Sequence, residues 1–109
     1  MKMLQNNFTT PEQSKRLLKL GVPEWAADCV TSIYGGSTFF VQERQLLRRC
    51  IDSNNYIPCW SVGRLIEIFL LCTPYKDIAL NTSNLVEQMV VSLFMVNKDG
   101  LLDFSKLED

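Results

Sequence analysis

The segment Tyr56-Ile57-Pro58-Cys59-Trp60-Ser61-Val62-Gly63-Arg64-Leu65-Ile66-Glu67-Ile68 does most to restrict what this chain can become. Pro58 cannot donate to a sheet ladder, so the residues from Tyr56 to Cys59 read as an edge strand or a strand end. Ser61 then stands where a helix cap belongs, and Val62, Leu65, Ile66, Phe69 and Leu70 follow along one helical stripe. Ile68, Leu71 and Cys72 widen that stripe beyond the need of a one-faced surface helix, which predicts a helix covered on two sides. An extended segment that runs straight into an apolar helix announces packing rather than chemistry.

Other segments supply the rest of the fold. Thr10-Pro11-Glu12-Gln13 predicts a helix start, with Thr10 as cap, Pro11 at the first helical position and Gln13 completing a capping box; Gly21 and Pro23 stop that helix. Cys29–Tyr34 and Ser37–Val41 are rich in β-branched and aromatic residues and are separated by Gly35-Gly36, which predicts a β-hairpin. Val41, Leu47, Cys50 and Ile51 fall near helical spacing, with Arg44, Arg48 and Arg49 outside, so a helix is expected after the hairpin. Thr73-Pro74 ends the helix that Ser61 begins. Tyr75–Leu80 reads as a short strand, Asn81-Thr82-Ser83-Asn84 offers caps for a last long helix, and Leu101–Phe104 reads as a returning edge strand. The expected architecture is α+β: one small domain over residues 1–109, a hairpin-based antiparallel sheet packed against three to four helices, with residues 1–7 disordered.

Composition narrows the function classes. With 47% hydrophobic and 21% charged residues the chain is globular, and a net charge of −1 supplies no global field to draw nucleic acid or an anionic membrane. The runs Ile68–Cys72 and Met89–Val96 fall well short of the ~20 apolar residues that span a bilayer, and the polar start Met1–Asn7 lacks a secretory core, so a cytoplasmic location without membrane is expected. Cys29, Cys50, Cys59 and Cys72 are too widely spaced for a zinc site and read as reduced, mostly buried thiols. There is no histidine.

Each constellation that could carry chemistry has a plainer explanation. Leu20-Gly21-Val22 resembles the turn of a helix-turn-helix, yet Pro23–Asp28 holds two acids and no base where a recognition helix needs cations. Lys15, Arg44, Arg48, Arg49 and Arg64 could contact phosphates, but Glu43 and Glu67 offset them and exposed charges of this kind are routine. Cys59 precedes a helix N-terminus, which favours a thiolate, but no histidine exists to serve it as base. Asn97–Phe104 imitates the middle of a calcium-binding loop, with Met95 and Lys106 where acidic ligands belong. No catalytic residue, cofactor or metal is expected.

Two helices that are apolar nearly all round are hard to cover in so short a chain, so self-association is expected, a dimer being favoured. Trp25, Trp60, Phe69, Leu93 and Phe94 are the large apolar candidates for that interface. Phe8–Ser14, Leu17–Gly21 and Ile57–Glu67 resemble segments of small uncharacterised proteins of Bacteroidetes bacteria and their phages or mobile elements. The resemblance covers roughly a third of the chain and implies an intracellular bacterial or phage setting, transferring no catalytic residue. The expected function is a non-catalytic, self-associating interaction module; a nucleic-acid-binding accessory using the arginines is the alternative, and a cysteine enzyme at Cys59 comes third.

Overall fold

The structure is a computed structural model and describes residues 7–80 and 83–107; the expected disorder at 1–7 falls, except for Asn7, outside them. Its sheet has three strands, β1 (Cys29–Ser32), β2 (Thr38–Phe40) and β3 (Tyr56–Cys59), in the order β2-β1-β3, all antiparallel. Around it lie α1 (Pro11–Leu20), α2 (Arg44–Asp52), α3 (Val62–Cys72) and α4 (Leu85–Lys98). The α+β architecture is therefore present.

Local chemistry explains most element boundaries. Thr10 and Gln13 form both arms of the capping box on α1. At its end Gly21 has φ 111° and donates to Leu18 O while Val22 donates to Leu17 O, the paired bonds of a Schellman stop. Phe104 closes over this glycine, its ring carbon 3.4 Å from where a Cβ would stand. Gly100, with φ 74°, ends α4 in the same way, Leu101 donating to Val96 O and Gly100 to Asn97 O. In the hairpin, β1 and β2 pair over Cys29↔Phe40 to Thr31↔Thr38, and Ser32 donates to Ser37 O, so the connection is longer than Gly35-Gly36 alone.

Pro58 lies opposite Val30. The ladder continues with Ile33 donating to Asn55 O, so the hydrogen-bonded pairs of β1 and β3 are the odd-numbered β1 residues, and the proline takes a position where no bond to β1 is missed. Phe8 bridges Ser61 just beyond the strand, and Thr9 locks Trp60 in place, its N–H donating to Trp60 O at 2.9 Å and its hydroxyl accepting from Trp60 N at 3.0 Å. Leu17, Val30, Leu47, Trp60, Leu65, Ile68, Met89 and Leu93 are the centre of one continuous core.

Two expected strands are not strands. Tyr75–Leu80 has no regular structure: Tyr75 stacks on Phe69 and Ile78 packs, half-buried, against the core. Leu101–Phe104 is likewise held by helix ends, Asp103 donating to Cys72 O at 2.8 Å, and Phe104–Lys106 is a 3-10 turn.

Candidate interaction surface

Asn84 caps α4 by accepting from Glu87 N, and from Leu85 to Val96 only Glu87, Gln88 and Ser92 are not apolar. The tertiary fold divides that cylinder into two faces. Val86, Met89, Val90, Leu93 and Val96 are buried. Val91, Phe94 and Met95, at i, i+3 and i+4, face solvent with 41%, 50% and 52% of their surface exposed. Lys98 continues the face, its ammonium 5.9 Å from the Phe94 ring centre. Gln88 reaches across to Ala79 O at 2.6 Å and draws the preceding loop beside the helix, where Leu80 is also exposed. On the other flank a groove between α1 and α4 is lined by Leu17, Leu20, Val90 and Phe94 and edged by Arg16 and Lys19.

Helix α3 is not covered on two sides. Leu65, Ile68, Phe69 and Cys72 are buried, while Leu70 and Leu71 are open to solvent, because α4 and the turn at Phe104–Lys106 pack on only one side of it.

The structure separates the five residues expected at an interface. Trp60, Phe69 and Leu93 are buried in the core and unavailable to a partner, since the sheet-to-helix junction, Tyr75 and the inner face of α4 enclose them. Trp25 is half-buried, in a 3-10 turn at Glu24–Ala26, with the Arg44 guanidinium 4.9 Å from its ring centre. That three-residue turn leads into β1, so no recognition helix follows Gly21. Phe94 alone of the five lies on the outer face of α4. Sequence reasoning missed its neighbours Val91 and Met95, because a continuously apolar helix has no visible outside until its packing partners are known.

The basic residues are also divided. Arg44 and Arg48 line a groove with Trp25, and Glu24 and Asp52 line it too, so its charge is mixed. Arg49 is exposed further along α2, and Lys15 lies on α1, which packs on α4 and β3 rather than on α2. Arg64 is a structural tie: its Nε donates to Ala26 O at 2.7 Å and its Nη1 pairs with Glu67 at 2.7 Å.

Cys59 is buried at the end of β3, directly opposite Cys29 on the same face of the sheet. Thr31 donates its hydroxyl proton to Cys59 Sγ at 3.3 Å, and the Cys29 thiol donates to Asp28 Oδ1 at 3.2 Å. Asp28 also accepts from Ser61 N at 3.0 Å and Ser61 Oγ at 2.6 Å, which places a carboxylate at the positive end of α3. The adjacent Cys29 thiol, aided by the Thr31 hydroxyl, holds Cys59 below the usual thiol range. The neighbouring Cys59, together with burial and the Asp28 charge, pushes Cys29 up. No histidine serves Cys59 as a base, but the strand register sets a second thiol directly opposite it from thirty residues upstream.

Among the described residues no group of three metal-ligating side chains converges, and no helix is long and apolar enough to cross a membrane. Comparison with protein-family models, curated proteins and solved structures finds no match, so no relative lends this chain an activity.

Proposed function

We propose that this chain is a non-catalytic interaction module that self-associates through the outer face of α4. The observation that supports this reading is the Val91-Phe94-Met95 face: three large apolar side chains at helical spacing on a helix whose opposite side already fills the core. Packing two such faces about a two-fold axis sets each residue against its counterparts in the other copy.

The expected strength follows from what is left over. Trp60, Phe69 and Leu93 complete the core of a single copy, so association is not needed for folding and the dimer is non-obligate. A stable interface buries about 800 Å² per partner, roughly an eighth of the 6905 Å² surface of this chain. One face of a 14-residue helix is smaller than that, so Leu80 and the rim of the α1 groove must join it. The resulting affinity is expected to be on the order of micromolar or weaker.

Sedimentation equilibrium or light scattering over a wide concentration range tests the reading. Mass should rise from monomer toward dimer with concentration, and Met95→Glu should hold the chain monomeric at unchanged melting temperature. A monomer at every concentration sinks the proposal. Measuring 260 nm absorbance at low and high salt addresses the arginine alternative: co-purifying nucleic acid released by salt would favour it, whereas Glu24 and Asp52 in the Arg44-Arg48 groove argue against such capture.

A further inference from the structure

We infer that Cys29 and Cys59 form a two-electron redox site, a cross-strand dithiol that hydrogen peroxide converts to an intramolecular disulfide. Four observations place the pair together. The residues are opposite in the β1-β3 register; both side chains lie on one face and are fully enclosed; Thr31 holds the sulfur of Cys59; Asp28 holds the proton of Cys29. The position is a hydrogen-bonded pair, where Cα atoms stand about 5.5 Å apart, inside the range of about 4.4–6.8 Å that a disulfide bridges. The Cβ atoms of such pairs, at about 4.5–5.5 Å, are wider than the ~3.5–4.5 Å of a relaxed disulfide. Closure must draw the strands together, and a disulfide closed under tension is readily reduced. The site is built for reversible oxidation rather than as a permanent staple.

The chemistry uses groups already in place. The Cys59 thiolate attacks one peroxide oxygen: an S–O bond forms, the O–O bond breaks, and the departing hydroxide takes up the proton that Cys59 released, leaving sulfenic acid and water. Cys29 sulfur then attacks Cys59 sulfur: the S–S bond forms, the S–O bond breaks, and hydroxide leaves with the Cys29 proton, carried by Asp28 Oδ1. Two thiols and one peroxide become one disulfide and two waters. Peroxide is close to water in size and can enter when β3, an outer strand of only four residues, opens locally. A tripeptide disulfide cannot enter so readily, so glutathione should modify the half-buried Cys50 instead.

The experiment uses the full chain carrying Cys50→Ser and Cys72→Ser, which leaves only this pair. After peroxide treatment, intact mass should fall by two hydrogens, non-reducing digestion should yield one peptide joining Cys29 to Cys59, and dithiothreitol should restore the mass. Adding Cys29→Ser should let dimedone trap a sulfenic acid at Cys59, several-fold more than the reciprocal Cys59→Ser traps at Cys29. Sulfinic acid without linkage, disulfides between molecules, or stronger trapping at Cys29 would overturn the assignment. The linked-peptide measurement decides the matter by itself if a single-cysteine variant does not fold.

Discussion

Leu93 and Phe94 are adjacent in sequence and equally apolar, yet the fold assigns them opposite environments, so truncating each to alanine tests the division of α4. Leu93 is fully enclosed among residues of the core. Leu93→Ala removes three carbons, worth about 2.4 kcal/mol at ~0.8 kcal/mol per carbon, and the cavity left behind brings the expected loss to about 3–4 kcal/mol. Phe94 keeps half its surface in water, so its truncation should cost only about 1 kcal/mol in the monomer. In a domain of this size each 1 kcal/mol moves the melting temperature by about 4 °C. Expected shifts are therefore about 12–16 °C for Leu93→Ala and about 4 °C for Phe94→Ala. Urea unfolding of dilute monomer, with unchanged slope, supplies the free energies, and light scattering at high concentration supplies the assembly state. Phe94→Ala should weaken dimerisation far more than its stability cost suggests. Equal destabilisation by the two variants would refute the assignment of faces, and a Phe94→Ala protein that dimerises like the parent would remove that residue from the interface.

Gly21→Ala should destabilise by about 1 kcal/mol or more, since alanine disfavours positive φ, even though its Cβ would meet the Phe104 ring at ordinary contact distance; thermal unfolding measures this. Asp28→Ala strips Ser61 N and Oγ of their acceptor and should cost about 2 kcal/mol, read by chemical denaturation, with α3 fraying first in hydrogen exchange. Glu87 is held below its ordinary value of 4.5 by hydrogen bonds from Gln13 and Arg16. Because the folded value is the lower one, its contribution is present above that range and lost as pH falls through it. Glu87→Gln should flatten the pH dependence of stability below about pH 4.5, modestly because the side chain is partly solvated.

Much of the local structure was legible in the chain itself. Thr10, Ser61 and Asn84 cap helices, Gly21 and Gly100 stop them, and Pro58 limits its strand to an edge, because each effect acts over a few covalent bonds and depends on residue type alone. The hairpin and the helix over Arg44–Asp52 were readable for the same reason. Tyr75–Leu80 and Leu101–Phe104 were misread because strand propensity becomes a strand only beside an unpaired edge, and these segments were claimed by Phe69 and by Cys72 O. Sequence could say that α3 and α4 carry apolar residues around most of their circumference, but not that only one side of each is covered, nor that Leu93 points inward and Phe94 outward. Nor could it bring Cys29 to Cys59, or Asp28 to Ser61, across some thirty residues. Which face meets the core and which strand residues oppose each other are fixed by long-range packing and ladder register, and neither exists until the chain has closed on itself.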